Sequence, residues 1–268
     1  MLELIQITND PALARRCDAL GGFRLFVDLE RLGKAERQAG RNTFISTHTL
    51  DDVGRVKQAL RHARLMVRVN PLHEGTAAEL DAVLAQQPDC VMLPVFRNAD
   101  ELRTFAGLVA QRVPIVALLE TAGALASLDD WIGTPGLEEV YVGLNDLHLS
   151  LGQRFMFEPL ADGTVERVAR AAHAHSLGFG FGGIARPGEG LLPGRDVLAE
   201  HLRLRSRAVI LSRTFHRDGA DTVFEQEVAA LREAEHELAH RSATEMQADA
   251  VRIAARIREI AGGLARPA

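Results

Sequence analysis

The feature that most constrains this chain is a recurring unit: a short apolar run rich in β-branched or aromatic residues, a polar or glycine-containing stretch, then a helical pattern. Eight such runs follow one another: FRLFVDL (23–29), TFIST (43–47), RLMVRV (64–69), CVMLPV (90–95), IVALLE (115–120), EVYVGL (139–144), FGFGGI (179–184) and AVILS (208–212). Intervals of roughly 20 to 40 residues leave room for one helix between strands, as parallel pairing requires. Leu50–His62 reads as one such helix, with Thr49 and Asp51 as cap candidates, and Gly75–Gln87 as another, with Ala78, Val83 and Leu84 on its apolar side. An open doubly wound sheet shares this alternation, since strand order is not written in a sequence. Eight units suit a closed (β/α)8 TIM barrel, and the expected layout is a single barrel domain over residues 1–268.

The chain continues past Phe215 without another strand. Phe224, Val228, Leu231 and Leu238, then Met246, Ile253, Ile257 and Ile260, fall at helical spacing, and Ser242 with Glu245 has the form of a capping box. Two helices with a break near residue 241 are therefore expected, residues 218–262 forming a C-terminal extension. A barrel needs one last helix, so the surplus apolar face calls for cover. A neighbouring subunit supplies it economically, and a homo-oligomer is expected, its C-terminal helix open to exchange between subunits.

Composition serves mainly to exclude. The chain has 31 basic and 36 acidic residues, a formal charge of −5, and no sustained basic run, which argues against nucleic acid or an anionic membrane as partner. Its two cysteines, Cys17 and Cys90, are too few for a disulfide framework. With no window of uninterrupted apolar residues long enough to span a bilayer and no basic-then-apolar start, a cytoplasmic location is expected.

In a barrel the chemistry sits at the C-terminal ends of the strands. There the runs deliver Asp28 and Glu30, His48, Arg68 and Asn70, Glu120, Asn145 and Asp146, and Ser212 and Arg213. Glu120 and Asp146 occupy equivalent points of successive units, so a barrel would set two mutually repelling carboxylates on adjacent strand ends. A divalent cation relieves that repulsion, and an all-oxygen donor set suits Mg²⁺ or Mn²⁺; two surface acids in βα loops would give the same spacing. Arg68 could grip a carboxylate or stabilise an oxyanion, or form an ordinary ion pair.

At these residues the sequence resembles the HpcH/HpaI aldolase and citrate lyase β-subunit-like family. The matching pieces, in family order, are DLE (28–30), MVRVNP (66–71), MLP (92–94), LLETAGAL (118–125) and VGLNDLHLSLG (142–152). The resemblance implies a (β/α)8 barrel, Mg²⁺ or Mn²⁺ held by Glu120 and Asp146, substrate contact by Arg68, and a C-terminal helix exchanged between subunits. The DLE and the short interval from Arg68 to Glu120 are similar to the citrate-lyase branch, which commonly continues DLE with an acidic residue where this chain has Arg31.

Such a family breaks a carbon–carbon bond next to a carbonyl. The expected reaction is reversible cleavage of a hydroxylated 2-oxo acid to pyruvate and an aldehyde through a metal-stabilised enolate. Two alternatives are retro-Claisen cleavage of a hydroxyacyl-CoA and a non-catalytic barrel that binds metal and a 2-oxo acid. Lys34 and Lys57 are the chain's only lysines and neither lies in an expected strand, which argues against a Schiff base. The hydroxyl proton needs a base; His48 is the first candidate for its ordinary pKa, followed by Glu30, Asp28 and a metal-bound water.

Three patterns read as decoys. Gly178, Gly180 and Gly183 match a dinucleotide fingerprint but lie inside an apolar run, as a tight barrel strand would. His173 and His175 diverge on a helix. HLRLRSR (201–207) reads as a solvated helix end, or as a phosphate contact if the substrate is an acyl-CoA.

Overall fold

The computed structural model describes residues 1–33, 46–216 and 221–264. Eight strands, β1 (Glu3–Ile7), β2 (Phe23–Asp28), β3 (Arg64–Arg68), β4 (Cys90–Leu93), β5 (Ile115–Leu119), β6 (Leu137–Val142), β7 (Gly178–Ile184) and β8 (Ala208–Leu211), form a closed barrel in chain order. Helices alternate with the strands, the arrangement of a (β/α)8 barrel.

The membership of the barrel corrects one expectation. TFIST is not among its strands: residues 43–45 lie outside the described residues, and 46–49 carry no regular structure. The eighth strand is instead β1, ELIQI, where Leu4 and Ile5 are buried. Its polar Glu3 and Gln6 break the apolar run that marks the other strands.

Contacts divide the chain into two compact units. The first runs from Ile5 to Tyr141. Here β2, β3, β4 and β5 pair in parallel, with Asp28 opposite Arg68 and Arg68 opposite Met92. Helix starts are set locally. Asp10 accepts the Ala12 N–H at 2.8 Å ahead of helix Pro11–Leu20, and Asn98 accepts the Glu101 N–H at 3.0 Å ahead of helix Ala99–Val109. Thr49 opens helix Leu50–Ala59, its N–H and hydroxyl both donating to Asp52 Oδ2. The lower interior of this unit holds an ion pair, Arg24 Nη2 to Glu139 Oε2 at 2.7 Å, with both side chains fully buried.

The second unit comprises Met1–Leu4 and Val142–Ala268. β7 and β8 pair in parallel with a register shift between Gly180 and Gly183. Gly182 lies in this irregularity at φ +50°, and a Cβ there would come within 2.8 Å of Leu144. The glycines thus permit a tight strand, as expected. HLRLRSR holds the end of helix Gly194–Arg203, where Arg203 pairs with Glu200 and Glu166, and leads into the start of β8. That is the end of the strand opposite to the one where a barrel carries its chemistry, so the phosphate-contact alternative is dropped.

The helical extension has the expected break: helices span Asp221–Ala239 and Ala243–Gly263, and Ser242 with Glu245 forms the capping box. Its cover differs from expectation. Ile253, Ile257 and Ala261 are buried within the chain itself, the last helix packing on Glu158–Ala161 and Gly194–Arg203. Arg252 pairs with Asp196 at 2.7 Å and Arg258 donates to the Ala161 carbonyl at 2.9 Å. Part of that face is therefore covered without a second subunit, while Met246 and Ile260 stay half-buried. Among the described residues no helix is long and apolar enough to cross a membrane.

Candidate active site

The register of β2 against β3 builds the centre of the site. Because Asp28 and Arg68 are cross-strand partners at the strand ends, their side chains meet edge to edge: Nε donates to Oδ1 at 2.9 Å and Nη2 to Oδ2 at 2.8 Å. Nη2 also lies 3.2 Å from Glu30 Oε2, and the guanidinium carbon sits 5.5 Å from the centroid of the buried Phe26 ring. Burial alone would lower the Arg68 pKa. Asp28, through charge and hydrogen bonds, with Glu30 and Glu120, outweighs it and raises the value, so Arg68 stays a cation. One edge of the planar fork is thus committed. Among the described residues Nη1 makes none of these bonds.

The turn after β2 is locked to the loop after β3. Asn70 Oδ1 accepts the N–H groups of Arg31 at 2.8 Å and Leu32 at 2.9 Å, while its Nδ2 donates to Glu79 Oε1 at 2.7 Å. Glu79 also takes the Asn70 N–H at 3.1 Å, and its Oε2 lies 3.0 Å from His73 Nε2. Glu30, buried at the head of this turn, donates its own N–H to Asp28 Oδ1 at 3.2 Å. Arg31 donates from Nη2 to the His48 carbonyl at 2.9 Å.

Glu120 follows β5 directly and is buried. Its Oε1 accepts the Val95 N–H at 3.0 Å. Val95 is a β-branched residue at φ +54°, a left-handed conformation that costs free energy and that here aims the amide at the carboxylate. Thr121 donates from Oγ1 to the Phe96 carbonyl at 2.7 Å and accepts the Ala124 N–H at 3.1 Å. At Gly123 a Cβ would meet the Arg97 carbonyl oxygen at 2.5 Å, so the LLETAGAL segment needs its glycine to approach the MLPVFR loop. Val95 is not among the residues expected at the site from sequence; its one cue there is Pro94 before it.

In the other unit, Asp146 is half-buried in the first turn of helix Leu144–Ser150, which follows β6. His48 is buried after Ser46, whose Oγ accepts the His48 N–H at 3.1 Å; the ring Nδ1 accepts the Asp28 N–H at 3.1 Å. The structure thus brings Arg68, Glu30, Asp28 and His48 into one bonded cluster, and Glu120 within electrostatic reach of Arg68. Lys57 pairs with Asp89 at 2.7 Å, just before β4 and away from the strand C-terminal ends; Lys34 lies outside the described residues.

The donors fit a hard cation. Glu120 and Asp146 are carboxylates, Glu120 is pre-oriented by an amide, and both thiols are buried elsewhere. Among the described residues no group of three or more His, Cys, Asp or Glu could hold a metal.

Comparison with known proteins gives the fold and the family. A curated relative, (3S)-malyl-CoA thioesterase of Cereibacter sphaeroides, is 31% identical over 118 residues, 43% of this chain. The chain spans about 41% of the length of the curated relatives it matches. A citrate lyase from Burkholderia xenovorans superposes with a TM-score of 0.60 at 18% identity, covering 100% of this chain and 94% of that one. The CitE protein of Mycobacterium tuberculosis, solved with magnesium, acetoacetate and coenzyme A, gives 0.58 at 18%, covering 96% and 88%. The HpcH/HpaI aldolase/citrate lyase family model matches residues 7–179, which hold Asp28, Glu30, His48, Arg68, Glu120 and Asp146, and the chain belongs to that family.

Proposed function

We propose that this protein is a metal-dependent carbon–carbon lyase that cleaves a hydroxylated 2-oxo acid to pyruvate and an aldehyde. The observation that carries the proposal is Arg68, held as a cation by Asp28 and Glu30 with Nη1 left over. Glu120 and Asp146 would hold Mg²⁺ or Mn²⁺, and a bound cation would supply Lewis-acid stabilisation of the enolate oxygen.

The chain's own groups do the rest. Arg68 presents Nη1 to the oxygen on which charge accumulates, already oriented, so little reorganisation is needed as the C–C bond breaks. Glu30 is the carboxylate beside Arg68 suited to take the substrate hydroxyl proton; that oxygen becomes the aldehyde carbonyl, and the bonding pair passes into the enolate. Protonation at carbon then yields pyruvate.

The match to a malyl-CoA thioesterase favours a second reading, retro-Claisen cleavage of a hydroxyacyl-CoA with acetyl-CoA as the enolisable product. Proton NMR in D₂O separates the two. Methyl-proton loss from pyruvate with Mg²⁺ or Mn²⁺, abolished by EDTA, supports the aldolase; loss from acetyl-CoA alone supports the second. Saturable binding of pyruvate without exchange overturns both in favour of a binding barrel. A cytoplasmic homo-oligomer is the setting we propose, to be checked by fractionation and light scattering.

A further inference from the structure

We propose that His48, the obvious imidazole base at this site, is a neutral positioning residue locked in one tautomer. The lone pair of Nδ1 is already engaged by the Asp28 N–H at 3.1 Å. A backbone amide cannot reverse its role, so Nδ1 carries no proton and the single proton of the neutral ring resides on Nε2. An imidazolium would point an N–H of its own at the Asp28 N–H, exchanging an attraction for a repulsion inside a buried cluster. His48 therefore cannot gain a proton without leaving its place.

The surroundings hold the ring there. The His48 backbone is fixed at both ends, its N–H donating to Ser46 Oγ at 3.1 Å and its carbonyl receiving Arg31 Nη2 at 2.9 Å. The Asp28 carboxylate, on the residue whose amide meets the ring, accepts from Arg68 and from the Glu30 N–H. What His48 secures is the end of β2: by holding the Asp28 amide it aims the carboxylate that in turn orients Arg68. The positioning role rests on the lyase reading above; the tautomer does not.

Two measurements test this on the full chain. The first is a long-range ¹H–¹⁵N correlation with ¹⁵N-histidine, the His48 signals identified by their loss in His48→Asn. Nδ1 should resonate as an unprotonated acceptor, Nε2 as protonated, and both should stay put from about pH 5 to 8, where a free histidine titrates. A titrating ring, or the Nδ1–H tautomer, overturns the proposal whatever the enzyme's activity.

The second compares variants of the metal-loaded enzyme. Asparagine places Oδ1 where Nδ1 stood and can accept the same amide, so His48→Asn should keep kcat/KM within about threefold and leave its pH profile unshifted. His48→Phe offers no acceptor and should lose tenfold or more. Loss of activity in folded His48→Asn, or disappearance of an acidic limb of the profile, would show that Nε2 exchanges the proton and would overturn the positioning role.

Discussion

His201 offers a quantitative test of how burial governs this protein's stability. Its ring is fully buried, stacked on Phe181 at 3.7 Å between centroids and nearly parallel, and among the described residues neither ring nitrogen has a hydrogen-bond partner. Burial pushes its pKa from 6.5 down to about 3. The folded protein therefore refuses a proton that the unfolded chain accepts below about pH 6.5, so stability is intact above that pH and is lost as the pH falls from there toward 3. The slope is about 1.4 kcal/mol per pH unit, so by pH 4.5 the cost is roughly 2.7 kcal/mol, a large part of a typical folding free energy. Replacing His201 with Leu removes the titration at similar volume and relieves two unpaired nitrogens. Urea unfolding followed by circular dichroism at steps from pH 7.5 to 4.5 should show the wild type losing stability more steeply than the variant by that slope. Parallel curves would mean that the ring has a proton acceptor or water in solution and that its burial as a bare neutral group is wrong.

Other outcomes follow from the same physics. Glu120→Gln should retain the fold, because its amide oxygen can still accept the Val95 N–H, yet abolish Mg²⁺ binding by calorimetry and metal-dependent turnover. Arg68→Lys keeps the charge but not the fork that binds Asp28, and should lower kcat/KM by roughly 10²-fold in steady-state assays. Glu139→Ala strands Arg24 in the interior and should cost about 3–5 kcal/mol in denaturant unfolding, much of it restored by making Arg24→Met as well. The Cys90 thiol is pushed up to about 12 by burial, so a chromogenic thiol reagent should leave it unmodified at neutral pH until the protein is unfolded.

The sequence alone determined the alternation of strand and helix, because a parallel barrel strand buried on both faces needs an unbroken apolar run and its crossover needs an amphipathic one. Seven of the eight runs named from that pattern are barrel strands. The exception shows the limit: ELIQI became the remaining strand through partners far along the chain, with the Glu3 N–H donating to the Arg207 carbonyl and the Thr8 N–H to that of Phe26. The residues of the candidate site were legible for a similar reason, as ionisable groups directly after apolar runs. Their division of labour was not. Arg68 read either as a clamp for substrate or as an ordinary ion pair; the register of β2 against β3 commits one edge to Asp28. His48 read as a candidate base by virtue of its ordinary pKa; that a backbone amide meets its Nδ1 was not legible. The last helix read as a face for a neighbouring subunit to cover, but its own chain buries Ile253, Ile257 and Ala261. Residue type and spacing carry the chemistry that is available; which atom of each group is free to use it depends on neighbours distant in sequence, and only tertiary structure decides those.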